Sequence, residues 1–382
     1  MSQDRILTTH VGSLPRPEAL LAVMQAKAKG EPYDEAALVD TLRDAVRDIV
    51  AKQAEVGIDI VSDGEFSKPS YATYVSERLS GFGGKGALNA AADLLDYRSY
   101  AAHLVRIGGV IPSGYGSCCQ GPVAVKDTSG LETDLANLKA ASDTAKPGAA
   151  FMNAASPGVV AIFQKNDYYP NDDDYIIAVA DALQGEYEAI VAAGFYLQVD
   201  SPDLAMGRHL AFAHLSDDEF LKVVERNVAA LNHALRNIPA DRLRMHLCWG
   251  NYPGPHHHDI ALEKIASRVL EAKPRTILLE GANPRHGHEW AVFEEIKLPE
   301  DKVLAPGVID STSNYIEHPR LVAERLLRYA NVVGRERVMA GSDCGYATFM
   351  EVPTVWPDIV WAKLASMVEG AAIASEKLWG GA

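Results

Sequence analysis

The chain has 382 residues, of which 48% are hydrophobic and 23% are charged, a composition typical of globular proteins. Its 36 lysines and arginines are outnumbered by 51 aspartates and glutamates, and the net charge of −15 disfavours binding to nucleic-acid phosphates or anionic membranes. The N-terminal residues lack the pattern of a secretory signal, and no apolar run reaches the ~18 residues of a membrane span, so we expect a cytoplasmic protein.

Short β-prone runs alternate along the chain with longer helical patterns, which is typical of parallel α/β proteins. The predicted strands cover residues 6–11, 58–62, 121–125, 195–199, 243–247, 276–279, 303–308 and 338–340. The predicted helices cover residues 35–55, 173–193, 217–236, 259–271, 317–332 and 357–377. This alternation predicts a single (β/α)8 TIM barrel over residues 1–382, with loop excursions around 81–102 and 126–150. A doubly wound open sheet is the alternative architecture.

Polar residues end nearly every predicted strand. In a barrel, the C-terminal strand ends meet at one mouth, where active sites form. The barrel therefore brings together residues that are more than 300 positions apart in the chain: Ser13, Glu65, Asp200, His246, Glu280, Asp310 and Cys344.

Two of these strand ends carry side chains that favour a metal. His246 and Cys248 are two residues apart, so on a strand they share a face. Cys344 follows the last predicted strand, and the other cysteines, Cys118 and Cys119, are neighbours that favour no disulfide framework. Zinc takes imidazole and thiolate ligands, and a catalytic zinc keeps three protein ligands and one exchangeable position. Ligands this far apart favour a catalytic site over a zinc finger.

Several short segments, in this order and spacing, resemble the C-terminal catalytic barrel of cobalamin-independent methionine synthase. They are residues 8–15 (TTHVGSLP), 63–65 (DGE), 121–123 (GPV), 198–202 (QVDSP), 246–248 (HLC), 279–280 (LE) and 343–345 (DCG). The resemblance extends from about residue 8 to about residue 375. The full-length synthase has a further N-terminal barrel, so the chain resembles the short, single-barrel relatives, which include epoxyalkane:coenzyme M transferase.

The resemblance implies a zinc-dependent transfer of a methyl or other alkyl group to a thiol, such as homocysteine in methionine biosynthesis. The partners are then a small-molecule thiol and an alkyl donor, and a homo-oligomer is compatible with the family. The implied Zn²⁺ ligands are His246, Cys248 and Cys344, with Glu280 as a fourth ligand that yields to the substrate thiolate. Zn²⁺ bound by a neutral histidine and two thiolates forms a site without net charge. The substrate thiolate then makes the charge of the site negative, which keeps the substrate sulfur nucleophilic.

The resemblance also implies roles for residues beside the metal. Glu65 and Asp200 match carboxylates that hold the substrate amino group, and Ser13 matches a residue that contacts its carboxylate. Asp310 matches an acid that could assist proton transfer.

The chain departs from the synthase after Asp310. The synthase has a histidine there that protonates the departing folate, whereas residues 311–314 here read STSN. The alkyl donor therefore stays open between a methylfolate, a methylcorrinoid and an epoxide.

Three alternatives remain open at this point. A coenzyme M transferase would need a cation for the sulfonate, for which Arg16, Lys68 and Arg285 are candidates. A metal-free lyase similar to uroporphyrinogen decarboxylase shares the barrel but has no use for the three metal ligands together. A scaffold without activity ranks last, because scaffolds rarely collect polar groups at one end of eight strands.

Overall fold

A computed structural model describes residues 4–86, 90–108, 117–350 and 355–380 of the chain. The α-helices are α1 Glu18–Lys29, α2 Glu35–Val56, α3 Val75–Arg78, α4 Ala92–Asp96, α5 Arg98–Arg106, α6 Ser129–Ala145, α7 Pro157–Phe163, α8 Asp172–Ala192, α9 Gly207–Leu210, α10 Asp217–Ala234, α11 Leu262–Val269, α12 Val292–Glu295, α13 Pro319–Val333 and α14 Pro357–Trp379. The strands are β1 Ile60–Ser62, β2 Phe82–Gly83, β3 Cys118–Cys119, β4 Ala149–Ala155, β5 Lys165–Asn166, β6 Tyr196–Asp200, β7 Leu243–Leu247, β8 Thr276–Leu279, β9 Val303–Ile309 and β10 Gly341–Ser342. Short 3₁₀ turns cover Pro202–Leu204, Ala240–Arg242, Glu289–Ala291 and Arg335–Arg337.

Seven parallel strands form a curled sheet in the order β1-β4-β6-β7-β8-β9-β10. The segment around Thr8 lies between the first and the last of them. The carbonyl oxygen of Thr8 accepts hydrogen bonds from the amides of Asp59 (3.2 Å) and Ile60 (3.1 Å), and the Thr9 amide donates to the oxygen of Ala340 (2.8 Å). This pairing closes the sheet, and the α/β fold is the predicted TIM-barrel-like fold.

The long predicted helices are confirmed, and their ends have local causes. α8 begins at Asn171, whose side chain accepts a hydrogen bond from the Asp174 amide, and three aspartates occupy its first turn, where the helix dipole favours negative charge. α10 begins with a capping box formed by Ser216 and Glu219. No helix in the described part of the chain is long and apolar enough to cross a membrane.

The predicted strand at 121–125 is wrong. In this stretch, Val125 forms only an isolated antiparallel bridge with Leu79, and the third barrel strand is β4 instead. The segment 126–150 is likewise more than a loop excursion, since it contains α6, which packs on α2, and leads directly into β4. β4 reads AAFMNAA, which is poor in β-branched residues, so burial between neighbouring strands overrides its weak strand propensity.

The other excursion, 81–102, contains β2, α4 and the first five residues of α5. β2, β3 and β5 form a small three-stranded sheet outside the barrel. Residues 6–11, predicted as a strand, pair with their neighbours only around Thr8.

Candidate active site

Three potential metal ligands meet at the C-terminal end of the barrel. His246 is on β7, Cys248 is the first residue after β7, and Cys344 follows β10. All three side chains are buried, and the nitrogen and sulfur atoms that could bind a metal lie within 4.8 Å of one another. His246 and Cys248 share one face of a strand because they are two residues apart, and Cys344 joins them because parallel strands end at the same side of the barrel. This proximity is the one that the sequence predicts.

The two thiols interact directly. Cys344 lies at hydrogen-bonding distance from Cys248, which lowers the pKa of Cys248, and the positive charge of His246 also favours the Cys248 thiolate. The same contact raises the pKa of Cys344, and burial adds to that rise. Two thiols that meet in a buried place are suited to a divalent cation, because the cation would neutralise both thiolates.

His246 is oriented by its two neighbours. Its Nε2 lies 3.2 Å from the main-chain oxygen of Asp343, and its Nδ1 lies 3.5 Å from Oδ1 of Asp200. Asp200 stands opposite His246 in the β6–β7 register, so the parallel pairing fixes this approach. Partners of this kind commonly set the orientation and basicity of a ligating histidine.

Glu280, the implied fourth ligand, is adjacent to this cluster, but its carboxylate oxygens are not part of the group of ligand atoms that lie within 4.8 Å of one another. Its Oε1 accepts a hydrogen bond from the Trp249 amide at 2.8 Å, and its Oε2 accepts from Asn283 at 2.7 Å and from Arg285 at 2.6 Å. The residue is 1% exposed, so these hydrogen bonds stabilise a buried carboxylate in its present position.

Asp343 holds the loop after β8 against the strand that carries Cys344. Its carboxylate accepts hydrogen bonds from the amides of Gly281, Ala282 and Asn283 at 2.8–2.9 Å and from the Asn283 side chain at 2.8 Å. Burial, together with the charge of Glu280, raises the pKa of Asp343 to about 6. The sequence analysis singled out Cys344 but gave no role to Asp343, the residue before it, although Asp343 connects the loop after β8 to the segment that contains Cys344.

A cavity of about 310 Å³ opens beside the three potential ligands. It is lined by Ser13, Glu65 and Asp200 as well as by His246, Cys248 and Cys344. The structure thus brings six of the eight predicted site residues to one cavity. Glu280 and Asp310 are not among its lining residues.

Glu65 and Asp200 form the acidic side of this cavity. Gly64 and Glu65 both have positive φ, 71° and 59°, and this strained turn positions the Glu65 carboxylate. Burial and the nearby charge of Asp200 raise the pKa of Glu65 to about 8. Asp200 is held by Asn153 (2.9 Å) and Gln198 (3.0 Å), which donate to its two oxygens.

Ser13 lies against the loop that carries Cys344. Its carbonyl oxygen accepts a hydrogen bond from the Tyr346 amide at 2.9 Å, and its hydroxyl accepts from the Ala347 amide at 3.4 Å. Gly345 is required there, because a Cβ at this position would be 1.9 Å from the Ser13 hydroxyl oxygen.

Asp310 belongs to a turn. Its Oδ1 accepts hydrogen bonds from the amide and the hydroxyl of Thr312, both at 2.9 Å. Burial acts to raise the pKa of Asp310, but hydrogen bonds from Ser313 and Thr312 outweigh it, and the pKa is lowered.

Several cavity residues were missed from the sequence. Asn153 does not line the cavity but donates a hydrogen bond to Asp200, and because its strand, β4, was not predicted, this contact could not be inferred. Tyr71 and Phe349 come from loops and carry no local pattern. His209 also lines the cavity, 3.2 Å from Asp259, and an isolated histidine in a short helix gave no signal.

Comparisons with known proteins identify the family and agree with the fold. Residues 6–372 match the sequence family described as the catalytic domain of the cobalamin-independent synthase. A methionine synthase of Saccharolobus islandicus is 26% identical over 97% of this chain and 95% of its own length, and one of Sulfurisphaera tokodaii is 25% identical over 97% and 93%. A B12-independent methionine synthase of Shewanella sp. W3-18-1, solved with selenomethionine, shares the fold with a TM-score of 0.75 at 20% identity, covering 99% of this chain and 100% of that one. A putative B12-independent methionine synthase of Listeria monocytogenes gives a TM-score of 0.67 at 21% identity, with the same coverage. The match over nearly the whole chain, together with the His246, Cys248 and Cys344 cluster, shows that this protein belongs to the family of cobalamin-independent methionine synthase catalytic domains.

Proposed function

We propose that the chain is a cytoplasmic, zinc-dependent enzyme that transfers a methyl group to the thiol of homocysteine or of a related amino acid. The observation that carries the proposal is the meeting of one imidazole and two thiols with a pair of buried carboxylates in a single cavity. Family membership supports thiol alkylation and disfavours the metal-free lyase.

The donor set fits zinc. His246, Cys248 and Cys344 would hold the ion, since one imidazole and two thiolates are a donor set known from catalytic zinc sites. When bound, zinc lowers the pKa of a substrate thiol and so supplies a nucleophilic sulfur at neutral pH. Glu280 would complete the set, and its bonds to Trp249 and Arg285 keep it nearby for exchange with the substrate.

The remaining residues bind and orient the thiol substrate. Glu65 and Asp200 would receive its ammonium group, which relieves the repulsion between the two carboxylates. Ser13 would contact its carboxylate, and the close packing of Gly345 fixes the position of Ser13. For Asp310, whose bonds are those of a turn, we propose that it supports the loop beside the site and that any proton transfer is secondary.

Coenzyme M fits the cavity less well than an amino acid. The guanidinium of Arg16 donates to main-chain oxygens of Glu65, Lys68 and Ala347, and the ammonium of Lys68 donates to the oxygen of Asn153. Arg285 is paired with Glu280. A sulfonate would therefore find two carboxylates in the cavity where it needs a cation.

Metal content and activity of cysteine variants test the proposal. We expect about one zinc per chain in protein purified without chelator, and loss of zinc and methyl transfer in Cys248→Ser and Cys344→Ser. Cys119→Ser is the matched control, because Cys119 is also buried but lies on β3, outside the cluster. Properly folded wild type without zinc, or full activity in Cys344→Ser, would overturn the proposal.

A further inference from the structure

A second cluster of potential metal ligands contains no cysteine. It consists of His209 on α9 together with His256 and Asp259 in the loop after β7. One nitrogen or oxygen atom from each of the three side chains lies within 4.8 Å of the other two. His209 is 1% exposed and His256 is 5% exposed, and the side chain of Asp259 is 8% exposed. The cluster is therefore buried and separate from the three residues assigned to zinc.

The carboxylate of Asp259 is the centre of this cluster. Nδ1 of His256 lies 3.1 Å and 3.0 Å from its two oxygens, and Nε2 of His286 lies 3.1 Å from Oδ2. Nδ1 of His209 lies 3.2 Å from Oδ1. Metal bonds of ~2.1 Å, at angles between roughly 90° and 110°, separate neighbouring ligand atoms by about 3.0–3.4 Å. The nitrogen and oxygen atoms are thus already spaced like ligands of one ion.

His209 has a buried nitrogen that lacks a hydrogen bond. Its Nδ1 makes none with any described residue, although Oδ1 of Asp259 is close, so the ring nitrogen is not aligned with that oxygen. Asp259 is already within hydrogen-bonding distance of His256 and His286 and does not depend on His209. Buried polar atoms in proteins nearly always have a partner. A metal ion in the cluster would supply the partner that Nδ1 of His209 lacks.

The far side of each imidazole is held by Tyr252. Nε2 of His209 lies 3.4 Å from the Tyr252 hydroxyl, and Nε2 of His256 lies 3.1 Å from the Tyr252 main-chain oxygen. The His256 amide also donates to Asp93 at 2.8 Å, which fixes a residue whose φ is 55°. Metal-binding histidines commonly have such a partner on the second nitrogen, because it sets the tautomer and the orientation of the ring.

The tautomer of His256 favours a cation in the cluster. A main-chain oxygen only accepts hydrogen bonds, so Nε2 of His256 carries the hydrogen that it donates to Tyr252. In the neutral ring, Nδ1 then has a lone pair, and this lone pair faces the Asp259 carboxylate at 3.0–3.1 Å. Two acceptors at this distance need a positive charge between them, which is either a second proton or a metal ion.

We propose that His209, His256 and Asp259 form a second metal site, for a divalent transition-metal ion such as zinc, cobalt or iron. Imidazole nitrogen and carboxylate oxygen are established ligands of these ions. An ion can reach the cluster through the cavity, since His209 and Tyr252 are among the residues that line it. Once bound, it would join α9 to the loop after β7, whose first residue is Cys248.

The two sites should differ in affinity. The second site offers no thiolate, so it should bind zinc more weakly than the cysteine cluster does. Protein purified without added metal should therefore hold about one zinc, and the second ion should bind only on titration. The inference is independent of the proposed function, because it uses none of the residues assigned to the catalytic zinc.

Titration of the zinc-containing enzyme with cobalt tests the second site. Equilibrium dialysis and elemental analysis should find about one cobalt per chain in addition to the zinc. The bound cobalt should absorb visible light without a thiolate-to-cobalt charge-transfer band, because no cysteine takes part. No bound cobalt up to roughly 1 mM, or cobalt bound only with that band, would overturn the inference.

Variants in the same loop and helix locate the cobalt. His209→Phe keeps a ring but removes both nitrogens, and it should weaken cobalt binding at least about 100-fold while zinc stays bound. His256→Asn is a second variant in case the first does not fold, because asparagine tolerates positive φ. His258→Ala is the matched control: this exposed histidine belongs to a different group, with Asp96 and His257, and its loss should leave cobalt binding unchanged. Cobalt lost in His258→Ala but retained in His209→Phe would assign the ion to the exposed group and refute the buried site.

Failure of this inference can be told apart from failure of the proposed function. Cys344→Ser should lose zinc and still bind one cobalt without a thiolate band. A wild type that holds zinc but binds no cobalt refutes the second site alone. A folded wild type that binds this cobalt but holds no zinc refutes the proposed function alone.

Discussion

The ionisation of Glu65 should control how tightly the amino acid binds. Burial and the charge of Asp200 raise the pKa of Glu65 to about 8, so at pH 7 only about one-tenth of free enzyme molecules carry this carboxylate ionised. An ammonium group favours the ionised form, and its binding must therefore release the proton. From this pKa, the dissociation constant should fall about ninefold between pH 6 and 7 and about fivefold between pH 7 and 8.

Methionine is the suitable ligand for this assay, because its sulfur does not titrate. Isothermal titration of the zinc-loaded enzyme between pH 6 and 8 gives the dissociation constants directly. Repeating the titration at pH 7 in two buffers of different ionisation enthalpy counts the protons, and we expect about 0.9 released per site.

Two variants make the test specific to this pair. Asp200→Asn removes the like charge, so the pKa of Glu65 should fall and the steep part of the pH dependence should move to lower pH. Glu65→Gln should bind methionine weakly, with little dependence on pH in this range. A flat dissociation constant in the wild type, without proton release, would refute the assignment of Glu65 as a neutral acid that receives the ammonium.

Three further predictions concern the scaffold of the site. The pKa of Glu65 rises from 4.5 to about 8 on folding. The contribution of its protonated form to stability is therefore present in full below pH 4.5 and is lost as the pH rises through about 8. Glu65→Gln should raise the melting temperature of the metal-free protein above that of the wild type at pH 9 and change it little at pH 5. Gly345→Ala should displace Ser13, whose hydroxyl oxygen would be 1.9 Å from the new Cβ. Steady-state kinetics should show a higher KM for the thiol, and the protein should lose about 1–3 kcal/mol of stability. An unchanged KM would contradict the role of Ser13. Lys363→Met should lower the free energy of unfolding by about 3–5 kcal/mol in urea titrations, because the buried Glu317, which lies 2.8 Å from the Lys363 ammonium, would keep only the Asp310 amide and lose its positive partner. A loss under about 1 kcal/mol would show that water or another group compensates.

The sequence predicted that His246, Cys248 and Cys344 would meet, because local geometry and the barrel architecture together place them. His246 and Cys248 share a strand face through the two-residue repeat, and Cys344 follows from the rule that parallel strands end at one mouth. The long helices were equally accessible, since their periodicity and capping residues lie within single segments, as at Asn171 and Ser216.

Other features depended on contacts that no single segment contains. β4 is a strand because its neighbours bury it, and only its placement brings Asn153 to Asp200. The high pKa of Glu65 arises from burial and from a carboxylate 135 positions away in the chain. Sequence patterns record the chemical types and the local directions of side chains. The tertiary structure decided which carboxylates are buried next to each other, which are hydrogen-bonded within turns, and which apolar side chains line the cavity. These features depend on distances between parts of the chain that are far apart in sequence.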